Sequence, residues 1–171
     1  MRAETYRIVL PGGMLARGFW LYVWRIETPD GEMLYVGRTG DSSSPFATAP
    51  YTRMGQHLGF SKAANSLRRL LLENGIEPEA CASYELISHG PIHPEIGQTS
   101  GQDREEQMRL HKPVRDEMAG LEKKLRDALC SAGYRVLNVV HSKKTYNEKT
   151  WLEVRSGFSS YFPDLIEKGA A

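Results

Sequence analysis

Residues 22–39, YVWRIETPDGEMLYVGRT, read as two strands joined by a turn. The aromatic and β-branched run begins at Phe19, so the first strand is predicted over 19–27. Pro29-Asp30-Gly31 is turn chemistry, and residues 33–37 return as an antiparallel partner. Strand side chains alternate between faces, so Tyr22 and Trp24 share one. The second strand carries Tyr35, stops at Gly37 and is followed by Arg38. Such an end is either an ordinary terminus with a solvated arginine, or a place where a phenol and a guanidinium are delivered together. The rest of the chain must decide.

With 171 residues the chain can bury one sizeable core and leave room for a small appendage. A hydrophobic share of 40% and a charged share of 25% are ordinary for a globular protein. The formal net charge of +1 gives no global pull toward a polyanion, so any such binding must be local. Cys81 and Cys130 are far apart without metal-type spacing, which reads as reduced and structural and fits a cytoplasmic location. The opening MRAETYRIVLPGG has too short an apolar run for a signal peptide. No stretch approaches the roughly twenty apolar residues of a membrane span, so no membrane partner is expected.

Along the chain, residues 6–10 read as a short strand stopped by Pro11-Gly12-Gly13. Residues 41–50 read as a loop, and YTRMGQHLG after Pro50 as a short helix. Ser61 is placed to cap a second helix, with Leu67, Leu70 and Leu71 as its apolar stripe and Gly75 at its end. Residues 81–88 alternate as a third strand, and HGPIHPEIGQTSGQ follows as a mobile loop. Residues 105–130 are predicted helical, broken or kinked at Pro113, and RVLNVV is a short last strand. Trp151, Val154 and Phe158 recur at helical spacing in the tail. The expected fold class is α/β of the α+β type: a small, mainly antiparallel sheet of three to four strands flanked by helices. Its expected parts are an N-terminal segment (1–17), the main domain (18–141) and a helical tail (142–171) packing on the domain or on a partner.

No Gly-rich phosphate loop, nucleophile elbow, His-Glu-x-x-His or Cys-x-x-Cys is present. Polar residues instead collect at element ends. Tyr35 and Arg38 close the hairpin, Arg53 and His57 share a helix face four residues apart, Glu122 follows Leu121 on a core-spaced helix, and Asn138 interrupts an apolar strand. Singly, each has an ordinary reading: a half-buried strand tyrosine, solvated arginines, a capping histidine, a carboxylate paired with Lys123 or Arg126, and an amide satisfying a nearby backbone group.

Together and in this order they resemble the GIY-YIG nuclease superfamily, over about residues 20–140. LYVGRT is similar to its Tyr-Ile-Gly motif followed by a basic residue. YTRMGQHL is similar to its arginine helix, and GLEKKLRDALCSAGYRVLN to its glutamate helix and following asparagine. The family's first motif ends in tyrosine. Here Trp24 stands at the usual spacing, and Tyr22 takes the role if the hairpin is two residues longer.

The resemblance implies a metal-dependent endonuclease. Tyr22, Tyr35, Arg53 and His57 are its candidate catalytic residues, Arg38 a phosphate ligand, Glu122 the ligand of Mg²⁺ or Mn²⁺, and Gly37 and Asn138 structural supports. Planar arginine suits bidentate phosphate clamping, and Mg²⁺ tolerates a thin protein shell because it keeps waters. A tyrosine hydroxyl would order the attacking water, or act as general base if the surrounding cations lower its pKa, with His57 relaying the proton. The expected partner is nucleic acid, DNA before RNA; the basic groups Arg53, Lys62, Arg68 and Arg69 and Lys143, Lys144 and Lys149, each ordinarily a solvated face, would supply phosphate contacts if both border one groove. A homo-oligomer would serve a double-strand break. Two alternatives remain: a nucleic-acid-binding module of the same fold with impaired chemistry, which Trp24 favours, and a small-molecule or structural role.

Overall fold

β1 (Gly18–Thr28) turns through residues 29–30 into β2 (Gly31–Arg38), and β3 (Ser83–Pro94) adds to the other side of β1. The computed structural model describes residues 3–41, 44–96 and 103–167. The sheet is antiparallel throughout in the order β2-β1-β3. The predicted hairpin forms, with its first strand one residue longer at each end than expected. Its register pairs Trp24 with Tyr35 and Tyr22 with Gly37.

Being central, β1 is buried on both faces, which explains its nearly continuous apolar run. Phe19, Leu21 and Val23 face α3 (Arg104–Ser131), α4 (Glu148–Ser159) and α5 (Asp164–Glu167), packing with Met118, Leu121, Leu125, Trp151 and Phe158. On the opposite face, Tyr22, Trp24, Ile26 and Tyr35 pack with Leu67 and Leu71 of α2 (Ser66–Glu73), next to α1 (Pro50–Leu58). The tail therefore packs on the sheet. Gly120 lets it cross α3, because a Cβ there would stand 2.8 Å from the Lys144 carbonyl oxygen. Among the described residues no helix is long and apolar enough to cross a membrane.

Several expectations are corrected. Residues 6–10 form no strand; Tyr6 and Ile8 are 84% and 80% exposed and have no sheet to join. Ser61 does not cap α2; its carbonyl accepts from Ala64 and Asn65 in a preceding turn, and Asn65 is the cap residue. The loop predicted after residue 88 is strand through Pro94, because Gly18 and Phe19 extend the pairing across a bulge. Residues 97–102 of that loop, and 42–43 of the earlier one, lie outside the described residues. Pro113 does not break α3, which runs without interruption. Buried residues on both sides of the proline, His111 and Met118 among them, hold the two halves to one body.

RVLNVV is not a strand but a single parallel bridge between Val136 and Leu34. Leu34 N–H donates to the Arg135 carbonyl and Leu137 N–H to the Leu34 carbonyl, both at 2.8 Å. The next ladder position is taken by a side chain. Val36 N–H donates to Asn138 Oδ1 at 3.0 Å, and Asn138 Nδ2 donates to the Val36 carbonyl at 2.8 Å.

Candidate functional site

Tyr22 and Gly37 face each other across the hairpin, and the glycine is needed there. A Cβ at residue 37 would lie 2.5 Å from Cε2, Cζ and Oη of Tyr22. The ring thus lies over the β2 backbone and reaches α1, where Tyr22 Oη and His57 Nε2 are 2.6 Å apart. The Tyr35 ring packs edge-on against the same imidazole, with centroids 5.0 Å apart. Trp24, two residues along, stays in the core, edge-on to Tyr84 at 6.3 Å. Position 22 therefore presents the first phenol.

On α1, Arg53, Gln56 and His57 occupy one face, as residues three and four apart must. Arg53 Nη1 donates to Gln56 Oε1 at 3.2 Å, and its Nη2 donates to the Arg38 carbonyl at 3.4 Å and pairs with the Asp41 carboxylate. From α3, Glu122 Oε2 accepts from Arg38 Nε at 2.7 Å, both side chains being 16% exposed. Arg38 also donates to the Arg115 carbonyl at 3.3 Å. Asn138 anchors β2 one residue before Gly37, supporting the strand end from behind.

These groups enclose one open cavity of about 350 Å³. Tyr22, Tyr35, Gly37, Arg38, Arg53, His57 and Glu122 all line it, so every sequence-nominated residue except the strand-anchoring Asn138 borders one space. Asp41, Gln56 and Ser66 line it too, and sequence reading missed them. Gln56 had a signal, standing three residues after Arg53. Asp41 looked like loop polarity. Apart from Arg53, the basic groups do not converge on the cavity: Arg68 pairs with Glu79, Arg69 with Glu73, and Lys144 with Asp116 in a separate cleft.

The electrostatics follow from burial. Desolvation, helped by the Arg53 cation, pushes His57 down to about 4, so the imidazole is neutral near pH 7. Burial raises Tyr22 well above the ordinary phenol value and Tyr35 to about 12, the latter aided by Glu122. The expectation that nearby cations lower a tyrosine pKa is thus corrected: burial outweighs Arg53. Desolvation raises Glu122 as well, opposed by Arg38. With His57 neutral, the two arginines balance Asp41 and Glu122, leaving the lining with no net formal charge.

For a metal, the cavity offers mainly oxygens, from the Glu122 and Asp41 carboxylates and the phenols, beside the His57 imidazole. No cluster of three His, Cys, Asp or Glu side chains stands among the described residues. The oxygens of that set fit a hard ion such as Mg²⁺ or Mn²⁺, which keeps most of its waters. No family model, no curated protein and no solved structure matches the chain.

Proposed function

We propose that this cavity is the active site of a metal-dependent endonuclease of the GIY-YIG type, cleaving phosphodiester bonds in nucleic acid, DNA before RNA. The observation that carries the reading is convergence. Residues spread over a hundred positions, nominated from their order in the chain, line one open space with phenol, imidazole, guanidinium and carboxylate together. That combination matches the needs of phosphodiester hydrolysis: an oriented water, phosphate clamps and a place for a hard cation.

Arg53 takes the non-bridging oxygens. Its guanidinium is already held by Gln56 and the Arg38 carbonyl, so little freedom is lost on clamping. Arg38 takes a second phosphate oxygen. In the tautomer protonated at Nδ1, neutral His57 accepts a hydrogen bond from the Tyr22 hydroxyl at Nε2, which leaves the Tyr22 oxygen lone pairs to orient the attacking water. As that water attacks, its proton passes to Tyr22 while the tyrosine proton moves to His57. The relay avoids a free phenolate, which burial disfavours. Protonating His57 at pH 7 costs about 4 kcal/mol in the empty site. Tyr35 packs the imidazole in place. Glu122 would hold Mg²⁺ or Mn²⁺, which supplies charge neutralisation at the phosphate and leaving oxygen.

A binding module without chemistry is the second reading, favoured by the pairing of both arginines to internal carboxylates. The deciding experiment is plasmid nicking with and without Mg²⁺ or Mn²⁺, by the wild type, Arg53→Ala and Glu122→Gln. Metal-dependent nicking lost in both variants supports the nuclease. Nicking that survives both removes this mechanism, and binding without nicking establishes the module. A cytoplasmic location and a homo-oligomer for double-strand cutting belong to the same proposal.

A further inference from the structure

The cavity has two cations suited to phosphate, and neither is free. Arg38 is held by Glu122, and Arg53 by Asp41. The two pairs differ. Arg38 and Glu122 are equally covered and sit between packed elements, β2 and α3. The Asp41 side chain is 43% exposed, stands three residues beyond the end of β2 and meets an Arg53 that is only 18% exposed. A covered guanidinium is thus stoppered from the solvent side by a carboxylate on a loop.

From this geometry we propose that Asp41 is an internal stand-in for the substrate phosphate: its carboxylate occupies Arg53 until an anion replaces it. A carboxylate and a phosphodiester each offer a guanidinium two negatively charged acceptor oxygens, and each carries one charge. Exchanging one for the other keeps the charge at Arg53 constant. Gln56 and the Arg38 carbonyl hold the guanidinium throughout, so Arg53 need not move when Asp41 leaves. Asp41 therefore sets how strongly the site takes anions. It holds down occupancy by free inorganic phosphate, whereas a nucleic acid brings further contacts along its backbone and completes the exchange. The inference rests on the phosphate-clamp role given to Arg53 above.

The test is a titration of the full chain with inorganic phosphate, followed at the Arg53 Nε–Hε resonance by two-dimensional NMR. Wild type is compared with Asp41→Asn, which removes the competing charge, and Asp41→Glu, which keeps it. Thermal melts check that each variant is folded. The Asn variant is expected to bind phosphate about fivefold more tightly, the upper end for a partly exposed ion pair. The Glu variant is expected to stay within about twofold of wild type. Equal or weaker binding in the Asn variant overturns the inference, as does equal tightening in both variants. Failure of the nuclease reading is separable. A wild type that never nicks DNA, combined with tighter phosphate binding in the Asn variant, removes the activity and leaves the exchange standing. A metal-dependent nuclease whose Asn variant binds no tighter removes the exchange alone.

Discussion

Gly37→Ala tests the packing on which the site depends. The added Cβ would meet three Tyr22 atoms at 2.5 Å, where unstrained carbon contacts fall near 3.5–4.0 Å, an overlap of about 1 Å. Tyr22 is essentially inaccessible to solvent and tied at its tip to His57, so the ring cannot step aside. Overpacking of this kind costs about 1–3 kcal/mol. A ring pushed off the strand also loses its bond to His57 and leaves buried polar atoms unpaired, a further cost of about 1–2 kcal/mol. Gly37 has no positive φ, so no backbone strain enters the comparison. Urea denaturation should therefore show the variant about 2–5 kcal/mol less stable. In a Tyr22→Ala background the same substitution loses the three contacts at 2.5 Å. There it should be neutral or stabilise by a few tenths of a kcal/mol, because alanine restricts the unfolded chain. A Gly37→Ala protein within 0.5 kcal/mol of wild type refutes the reasoning, and so does an equal penalty in both backgrounds.

His57 should titrate near pH 4 by NMR, not near 6.5. Because its folded value is depressed, the unfolded chain binds more protons between those two values. The His57 contribution is complete above pH 6.5 and fades by about 3 kcal/mol as pH falls through 4. Glu122, raised by burial, acts in the opposite sense, so the wild-type minus His57→Gln difference in stability isolates the histidine. Asn138→Ala removes two hydrogen bonds to Val36 and should cost about 2 kcal/mol in urea. Asn138→Asp should cost more, since a carboxylate oxygen then faces the Val36 carbonyl. Tyr22→Phe should abolish metal-dependent nicking, and adding Trp24→Tyr should not restore it, because position 24 packs beside Tyr84 and away from His57. Nicking by the double variant would return the first-motif role to position 24.

The parts of the fold that were legible are those specified by local chemistry. Aromatic and β-branched residues around Pro29-Asp30-Gly31 leave little but a hairpin, and Arg53 and His57 four apart share a helix face whatever surrounds them. Illegible parts depend on a distant partner. HGPIHP carries every loop signal, yet it continues β3 because Gly18 and Phe19 lie across from it. RVLNVV carries every strand signal, yet it makes only one bridge, since the Asn138 side chain occupies the next ladder position. The pairing of Asp41 with Arg53 depends on how the loop leaves β2, which no local pattern encodes. The ordinary reading of Glu122 pairs it with Lys123 or Arg126. Those side chains instead pair with Asp127, and Glu122 meets Arg38 across the sheet edge.

The first tyrosine shows how a motif can shift while its geometry persists. Side chains alternate along β1, so residues 22 and 24 both point toward α1 and α2 and differ in position by about 7 Å along the strand. Opposite residue 24 stands Tyr35, whose ring fills that level of the sheet. Opposite residue 22 stands Gly37, which has no side chain. A large ring at position 22 can therefore lie flat over the partner strand and project to His57, whereas a ring at 24 must stand beside Tyr35. The glycine of the second strand and the displaced tyrosine of the first are thus one device. On the nuclease reading, the same glycine that precedes Arg38 at the end of β2 holds the water-orienting phenol in the wall of the cavity.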